Sequence, residues 1–303
     1  MSTSQSAVII ETDAPIPTWF HVGGRAERFA RPDNQEELLQ CLEHDPDLLL
    51  LGEGANLLVD DAGVDRLVVS LQSDGFQRVE YDPSGVVRAG AGVALPRLIN
   101  ECVRRGLSGI ETLAGIPATL GGAAIMNAGG AFGELATAVR SVTALDRAGR
   151  EHTYPRSQID FGYRRSRLNH LIVTGVELAL EPTDAEHCRA ELKRCMEYKT
   201  GTQPLGDKSA GCVFKNPTLG EDIADIGVAG ERVSAGMLID RAGCKSMRVG
   251  GASVSDVHAN FVVCGADACA RDAIDLIGRV GERVLDTFGV TLEREVVVWG
   301  RDR

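Results

Sequence analysis

The most constraining feature of the sequence is an uncharged run, AGIPATLGGAAIMNAGG, that extends from Ala114 to Gly130. Glycine and alanine dominate it and Pro117 interrupts it, so the backbone can turn tightly and approach another group closely. A second segment of this kind, LGEGANLL at 51–58, follows an apolar stretch. Neither segment matches a dinucleotide fingerprint or ends in the GK[ST] of a P-loop. Either loop alone is equally well explained as a tight turn.

Backbone amides in tight turns can bind an anion without lysine or arginine. Two uncharged loops of this kind in one chain therefore favour a large ligand that carries a pyrophosphate and a flat ring. The apolar side chains of Ile116, Pro117 and Leu120 suit such a ring.

Charge and composition exclude several classes of protein. The chain has 303 residues, a formal net charge of −11 and 44% hydrophobic residues, which indicates an ordinary globular protein and argues against nucleic acid or an anionic membrane as a partner. Its length favours two domains, with three small ones possible. No apolar run approaches the roughly 20 residues of a membrane span, and the start does not match a secretory signal.

The eight cysteines include no CxxC pair, so we expect free thiols in a reducing cytoplasm and no metal site. Seven of them are expected to act as small buried hydrophobic residues, with Cys212 considered separately. His258 is expected to be structural, because no second metal ligand lies at a suitable spacing.

Periodicity predicts a mixture of helices and strands of the α+β class without regular βαβ alternation. Residues 1–17 are expected to form a poorly ordered tail. Helices are predicted at 34–46, 94–106, 184–199, 232–242 and 267–288. Strands are predicted at 48–51, 57–59, 67–71, 76–82, 85–92, 139–146, 171–182, 260–264 and 292–300.

Three further segments offer chemistry. SAGCVFKNP (209–217) presents Cys212 after a turn of small residues, and a thiol with an ordinary pKa near ~8.5 can donate a proton as well as attack; a buried inert thiol is the alternative. FGYRRSRL (161–168) contains Arg164, whose apolar and aromatic neighbours suit the binding of a carboxylate, although an arginine pair is also typical of a solvated surface. LEREV places Glu293 and Glu295 on one face of a strand, and the residues alone do not separate them.

Together these segments resemble the UDP-N-acetylenolpyruvoylglucosamine reductases, flavoenzymes of bacterial peptidoglycan precursor synthesis. The matching segments keep the family's order and cover nearly the whole chain from Thr18. They are TWFHVGGRA (18–26), LGEGANLLVDDAG (51–63), AGAG (89–92), the run at 106–130, FGYRRSRL, KTGTQP (199–204), SAGCVFKNP, the run at 235–263, and LEREVVVWG (292–300). The short stretch between 163 and 198 is typical of the shorter subtype, which lacks an extra substrate-covering loop.

The resemblance implies an FAD-binding fold of the vanillyl-alcohol-oxidase/PCMH type plus a C-terminal substrate domain. The implied parts are 1–72 with the final strand 291–303, then 73–205, and a substrate-binding domain at 206–290. The implied FAD contacts are Gly52, Gly54, Ala55, Asn56, Leu57, Ala114, Gly115, Ile116, Pro117, Thr119, Gly121, Gly122, Ala123 and Asn127. Ala55 and Ala118 depart from the serine and glycine that are usual in the family.

The implied reaction has two halves: NADPH reduces FAD, and a hydride then reaches the enolpyruvyl ether of a UDP-sugar. By motif position, Arg164 polarises the carboxylate, Glu295 rather than Glu293 is the C-terminal glutamate, and Cys212 replaces the usual proton-donating serine. The implied substrate contacts are Tyr163, Lys215 and Asn216. The alternatives are an oxidase of the same fold and a UDP-sugar-binding protein that has lost its flavin. The expected location is the cytoplasm, and no oligomeric state is predicted.

Overall fold

The structure is a computed structural model that describes residues 7–204 and 206–301. The strands are β1 (Ile10–Pro15), β2 (Arg25–Ala30), β3 (Leu49–Leu51), β4 (Leu57–Val59), β5 (Val64–Ser70), β6 (Val79–Tyr81), β7 (Val86–Gly90), β8 (Leu107–Ser108), β9 (Gly129–Gly130), β10 (Gly133–Glu134), β11 (Val139–Leu145), β12 (Glu151–Pro155), β13 (Ile172–Ala179), β14 (Glu181–Pro182), β15 (Arg248–Val249), β16 (Ala252–Val254), β17 (Val262–Cys264) and β18 (Val297–Trp299). The helices are α1 (Gln35–His44), α2 (Leu95–Arg104), α3 (Leu120–Met126), α4 (Ala185–Thr202), α5 (Ala235–Arg241) and α6 (Ala270–Phe288). Short 3-10 helices lie at Asp74–Phe76, Glu111–Leu113, Leu135–Thr137 and Arg156–Gln158. The predicted α+β class is confirmed.

The chain forms two compact units. The first comprises the described residues of Met1–Ala14, Ala26–Glu53 and Asp65–Lys199, and the second comprises Pro15–Arg25, Gly54–Val64 and the described residues of Thr200–Arg303. The three-part division expected from the sequence remains a prediction.

Besides the two-stranded sheets β9-β10 and β8-β14, the first unit contains two larger sheets. One has the strand order β1-β2-β5-β3, with β3 and β5 parallel, and the other has the antiparallel order β12-β11-β13-β7-β6. Helix α2 buries an apolar face that includes Leu95, Leu98 and Ile99 in the same core. Pro96 lies in its first turn and Gly106 follows its end with φ of +66°, so the predicted helix at 94–106 is confirmed.

The second unit is built around α5, α6 and the sheet β15-β16-β17, with β18 pairing in parallel with β4. The apolar positions Ala273, Leu276, Ile277 and Val280 of α6 are buried. Gly289 ends this helix with φ of +68°, as the sequence predicts, because a left-handed residue past the last turn favours glycine.

Two expectations are wrong. The predicted tail at 1–17 contains strand β1, which packs as an edge strand beside β2; residues 1–6 of that tail lie outside the described residues. Cys269 is exposed, because it caps the N-terminus of α6 together with Asp272, and cap positions face solvent. Six of the other cysteines are buried as expected. Among the described helices, none is long and apolar enough to cross a bilayer.

Candidate active site

The loop Gly52–Leu57 connects β3 to β4 through tight turns. Gly54 has φ of +65°, and a Cβ on it would lie 2.1 Å from the carbonyl oxygen of Pro17, so only glycine fits. Within the described parts of the chain, the backbone amides of Glu53–Asn56 donate to no protein acceptor. A run of such amides at a part-buried turn matches what a pyrophosphate needs.

The loop Ala114–Thr119 leads from a 3-10 helix into α3. Thr119 caps α3, because its Oγ1 accepts a hydrogen bond of 3.2 Å from the amide of Gly122. A Cβ on Gly52 would lie 2.9 Å from this same Oγ1. The two glycine-rich loops therefore lie side by side in the first unit at Gly52.

The first-turn amides of α3 are used inside the protein. Leu120 donates to the carbonyl of Val93 at 2.8 Å and Gly121 to that of Ala91 at 2.9 Å. A Cβ on Gly121 would lie 2.8 Å from Cβ of Ala91. The small residues of α3 thus serve close backbone packing, and the loop at Glu53–Asn56 is the better anion site.

These observations test whether the FAD that the family implies fits the chain. The acceptor-free amides of Glu53–Asn56 suit a diphosphate, and in the first unit the half-buried apolar residues Ile116 and Pro117 suit a flavin ring. The residues present therefore fit FAD.

Asn127 ends α3 in the left-handed region, with φ of +44°, and its side chain is fully buried. Its Nδ2 donates to the carbonyl of Gly162 at 3.0 Å, and its Oδ1 accepts from the amide of Ala136 at 3.0 Å. Both polar atoms of the side chain are thus engaged within the protein. Direct contact of Asn127 with FAD remains a prediction.

The carbonyl that Asn127 binds begins the turn that carries Tyr163 and Arg164. Gly162 and Arg165 close this turn with two backbone hydrogen bonds of 2.9 and 3.1 Å. Arg164 has φ of +54°, a conformation that costs a non-glycine residue about 1–2 kcal/mol. Its guanidinium carbon lies 5.2 Å from the ring centroid of Tyr163, within the range of a cation–π contact.

A second attachment holds this turn. The Oγ of buried Ser166 donates to the carbonyl of Ile125 in α3 at 2.7 Å. Arg164 is half-buried whereas Arg165 is exposed, which agrees with the choice of Arg164 as the candidate. The C-terminal end of α3 therefore fixes the turn that carries Arg164 in its strained conformation.

In the second unit, the segment around Cys212 runs beside the C-terminal segment. The amide of Glu295 donates to the carbonyl of Val213 at 2.9 Å, and the amide of Lys215 donates to the carbonyl of Glu293 at 2.9 Å. Antiparallel pairing thus places the half-buried residues Cys212 and Glu295 on neighbouring stretches of chain.

Asn260 holds the segment that carries Cys212, a contact that the sequence did not indicate. It is 2% exposed, and its side-chain amide accepts from the amide of Phe214 at 3.0 Å and donates to the carbonyl of Phe214 at 2.8 Å. Its own carbonyl accepts from the amide of Val213 at 2.9 Å. A polar residue at the head of the apolar strand segment NFVVC was the available signal.

Asn56 links the first glycine-rich loop to the C-terminal segment. Its Nδ2 donates to the carbonyl of Glu295 at 3.0 Å, and its carbonyl accepts from the amide of Val297 at 3.0 Å. The side chain of Asn56 therefore positions Glu295, a task that the sequence did not indicate.

The other candidates in this unit already have protein partners. Nζ of Lys215 lies 2.6 Å from Oε1 of Glu293, which is itself exposed. Oδ1 of Asn216 accepts from the amide of Ala235 at 2.9 Å, the first residue of α5. The sequence motif LEREV did not show which of its two glutamates is the better candidate. In the structure they differ, because Glu293 pairs with a lysine whereas Glu295 lies half-buried beside the Cys212 segment.

His258 is structural, as expected. Its Nδ1 accepts from the amide of Asn260 at 3.2 Å, and its ring contacts Phe261 edge-on with centroids 4.9 Å apart. Burial lowers the pKa of His258. Among the described residues, no group of three or more histidines, cysteines or carboxylates could hold a metal ion.

Known proteins match this arrangement along its length. Residues 26–154 match the family described as FAD binding domain, and residues 203–299 match the UDP-N-acetylenolpyruvoylglucosamine reductase, C-terminal domain. The UDP-N-acetylenolpyruvoylglucosamine reductase of Moorella thermoacetica is 40% identical over 296 residues, covering 95% of this chain and 93% of that protein. The protein of the same name from Syntrophobacter fumaroxidans is 38% identical, covering 92% of this chain and 80% of that protein.

Solved structures agree. The crystal structure of UDP-N-acetylenolpyruvylglucosamine reductase from Thermus caldophilus superposes with a TM-score of 0.81 at 38% identity, covering 96% of this chain and 99% of that chain. An FAD-binding fold followed by a family-specific C-terminal domain is thereby confirmed. The chain belongs to the UDP-N-acetylenolpyruvoylglucosamine reductase family.

Proposed function

We infer that this protein is an FAD-dependent oxidoreductase that uses NADPH to reduce the enolpyruvyl ether of UDP-N-acetylglucosamine-enolpyruvate to UDP-N-acetylmuramate. Identity of 40% with a reductase over 95% of the chain is the observation that carries this conclusion. The reaction belongs to peptidoglycan precursor synthesis. Because its nucleotide-sugar substrate and NADPH are cytoplasmic metabolites, we place the protein in the cytoplasm.

When bound, FAD supplies hydride transfer, taking two electrons from NADPH and passing them to the terminal carbon of the enol ether. The chain's own task is to manage the negative charge that then develops on the neighbouring carbon and its carboxylate. That charge needs a positive group to stabilise it and an acid to neutralise it.

We assign these tasks as follows. The Arg164 guanidinium, on its strained turn, stabilises the carboxylate as a planar two-point donor. The Cys212 thiol donates its proton to the carbon beside the carboxylate, and Glu295 orients the reacting group from the adjacent segment. These roles rest on motif position and on the local packing of each residue.

The remaining candidates bind the substrate. Tyr163 stacks beside Arg164 and offers an aromatic surface at the same turn. Lys215 provides positive charge for the diphosphate, although it must exchange its ion pair with Glu293 to do so. Asn216 stands at the start of α5, where it offers its side-chain amide. The FAD contacts proposed from the sequence remain those of the two loops.

The test of the function is product analysis in D2O. Purified holoenzyme with NADPH and the enolpyruvyl UDP-sugar is expected to yield a product that gains two hydrogen atoms and carries solvent deuterium on the carbon beside the carboxylate. Recovery of unchanged substrate while NADPH is consumed with oxygen alone would instead favour an oxidase. A protein that neither retains nor takes up FAD would favour a silent binding protein.

A further inference from the structure

Lys199 is a buried lysine for which the described part of the chain provides no acceptor. Its side chain is 8% exposed, and no described residue forms a hydrogen bond or an ion pair with it. Lys193, Lys215 and Lys245 each pair with a carboxylate instead. Nζ of Lys199 is not among the fully buried unpartnered atoms of the described residues. The stem is therefore buried while the ammonium keeps an opening at which a bound molecule can present an acceptor.

The surroundings of Lys199 show which ligand lies near. Lys199 is in the last turn of α4, and its Cδ lies 3.1 Å from the position that a Cβ on Gly115 would occupy. Sδ of Met196 lies 3.1 Å from the same position, and Gly115 has φ of +69°. The lysine stem therefore runs along the backbone of the loop Ala114–Thr119, one of the two loops that fit FAD.

Lys199 also lies close to the arginine turn. Burial lowers the pKa of Lys199 to about 8, the nearby Cys195 thiol opposes this lowering, and the positive charge of Arg164 adds to it. The Arg164 charge is thus felt at Lys199 within the first unit, and an electron-rich ligand beside the ammonium would favour its charged form.

We propose that the Lys199 ammonium contacts the isoalloxazine ring of bound FAD and stabilises the negative charge that reduction places on that ring. This proposal rests on the proposed function. The ring is favoured over the diphosphate for two reasons. The amides of Glu53–Asn56 already form an anion site, and Arg164 must act where the hydride is transferred, which is at the ring.

The chemical consequence follows from charge balance. NADPH gives up a hydride, a proton with two electrons, and leaves as NADP⁺, while the ring gains that hydride and one net negative charge. A cation beside the ring binds the reduced cofactor more tightly than the oxidised one and so raises the reduction potential. Lys199 therefore favours the first half-reaction without touching the enol ether.

The experiment measures the reduction potential of bound FAD in the holoenzyme by equilibration with a reference dye. Lys199→Met and Lys199→Gln are expected to weaken the binding of reduced relative to oxidised FAD at least tenfold, which lowers the potential by about 30 mV for a two-electron couple. Lys199→Arg is expected to restore most of the shift. Lys193→Met, on the exposed face of the same helix, is expected to leave the potential unchanged.

Two outcomes would overturn the proposal. An unchanged potential in both neutral variants, with a raised KM for the UDP-sugar, would assign Lys199 to the substrate. An unchanged potential with weaker binding of oxidised and reduced FAD alike would assign it to the diphosphate. The potential is measured without the UDP-sugar, so its value does not depend on whether that sugar is the true substrate. Failure of this test can therefore be told apart from failure of the proposed function.

Discussion

At the scale of single residues, the proposed proton donor is the thiol of Cys212. Cys212 is half-buried and lies next to Val213, whose carbonyl accepts the amide of Glu295. A thiol is several pKa units more acidic than an alcohol, so we expect proton donation from Cys212 to be at least as accessible as from a serine at the same position.

Cys212→Ala is therefore expected to retain reduction of FAD by NADPH and to slow the second half-reaction by about 10²–10⁴-fold, the usual contribution of a general acid. Cys212→Ser is expected to keep measurable turnover. Rapid-mixing absorbance of the flavin separates the two half-reactions. Normal reoxidation of Cys212→Ala by the UDP-sugar would remove the thiol from the mechanism.

We expect the same thiol to make the enzyme sensitive to alkylating agents and peroxide. Only Cys212 and Cys269 are accessible among the eight cysteines, the other six being buried. Modification of native protein is expected at these two, with loss of activity in the wild type and in Cys269→Ser but not in Cys212→Ser. Peptide mass mapping identifies the modified thiols. Full activity after stoichiometric modification of Cys212 would contradict the assignment.

At the scale of elements, α3 joins two parts of the site. Its N-terminus follows the loop Ala114–Thr119, and its C-terminus holds the arginine turn through Asn127 and Ser166. The strained φ of Arg164 persists because these bonds fix the turn on both sides. Helix α3 thus acts as the support that positions Arg164.

Asn127→Ala leaves the carbonyl of Gly162 and the amide of Ala136 without their partner. We expect a loss of about 1–3 kcal/mol in the free energy of unfolding for each unpaired group. We also expect a slower second half-reaction, because Arg164 is no longer held in place, while reduction by NADPH stays within about twofold.

The control is Asn100→Ala, which removes an exposed bond from Asn100 to the carbonyl of Pro96 in α2. Denaturant unfolding measures the stability of both variants, and rapid mixing measures each half-reaction. Equal slowing of both half-reactions in Asn127→Ala would show a general structural defect and would refute a positioning role.

The sequence predicts an element well when the contacts that fix it join residues close to one another along the chain. Helix α2 and the end of α6 at Gly289 were predictable because proline and glycine signals lie within a few residues. Strand β1 was missed because its partner β2 lies further along the chain, past a proline-containing stretch. Asn127 and Asn260 were quoted within motifs, but each acts on backbone 35 or 46 residues away.

At the scale of the whole molecule, family membership was predictable because nine segments recur in order along the chain. The position of each glycine-rich loop was likewise available from the sequence. The burial of Lys199 was not, because it results from packing of α4 on the loop at Gly115. Buried polar groups of this kind are known only once distant segments are placed.

The buried ammonium predicts a pH effect on the FAD-free protein. The pKa of Lys199 is lowered from 10.5 to about 8 on folding, so between these values the unfolded chain binds more protons and stability contributed by this group rises with pH. Over that window the wild type is expected to gain roughly 3 kcal/mol relative to Lys199→Met, at 1.36 kcal/mol per pH unit.

Denaturant unfolding at pH 7.5, 9 and 10.5 measures the difference between the two proteins. The thiols of Cys41 and Cys102, whose pKa values burial raises to about 11 and 12, oppose this trend equally in both and cancel. Of the groups around Lys199, Cys195 and Arg164 are also common to both proteins. A difference that stays constant with pH would contradict the lowered pKa of Lys199.

The most direct measurement of the central claim is anaerobic titration of the yellow holoenzyme. Addition of NADPH is expected to bleach the flavin absorbance, and the enolpyruvyl UDP-sugar alone is expected to restore it, with UDP-N-acetylmuramate as the product. Failure of the enolpyruvyl UDP-sugar to restore the colour, or bleaching of the oxidised flavin by simple alcohols in place of NADPH, would contradict the account.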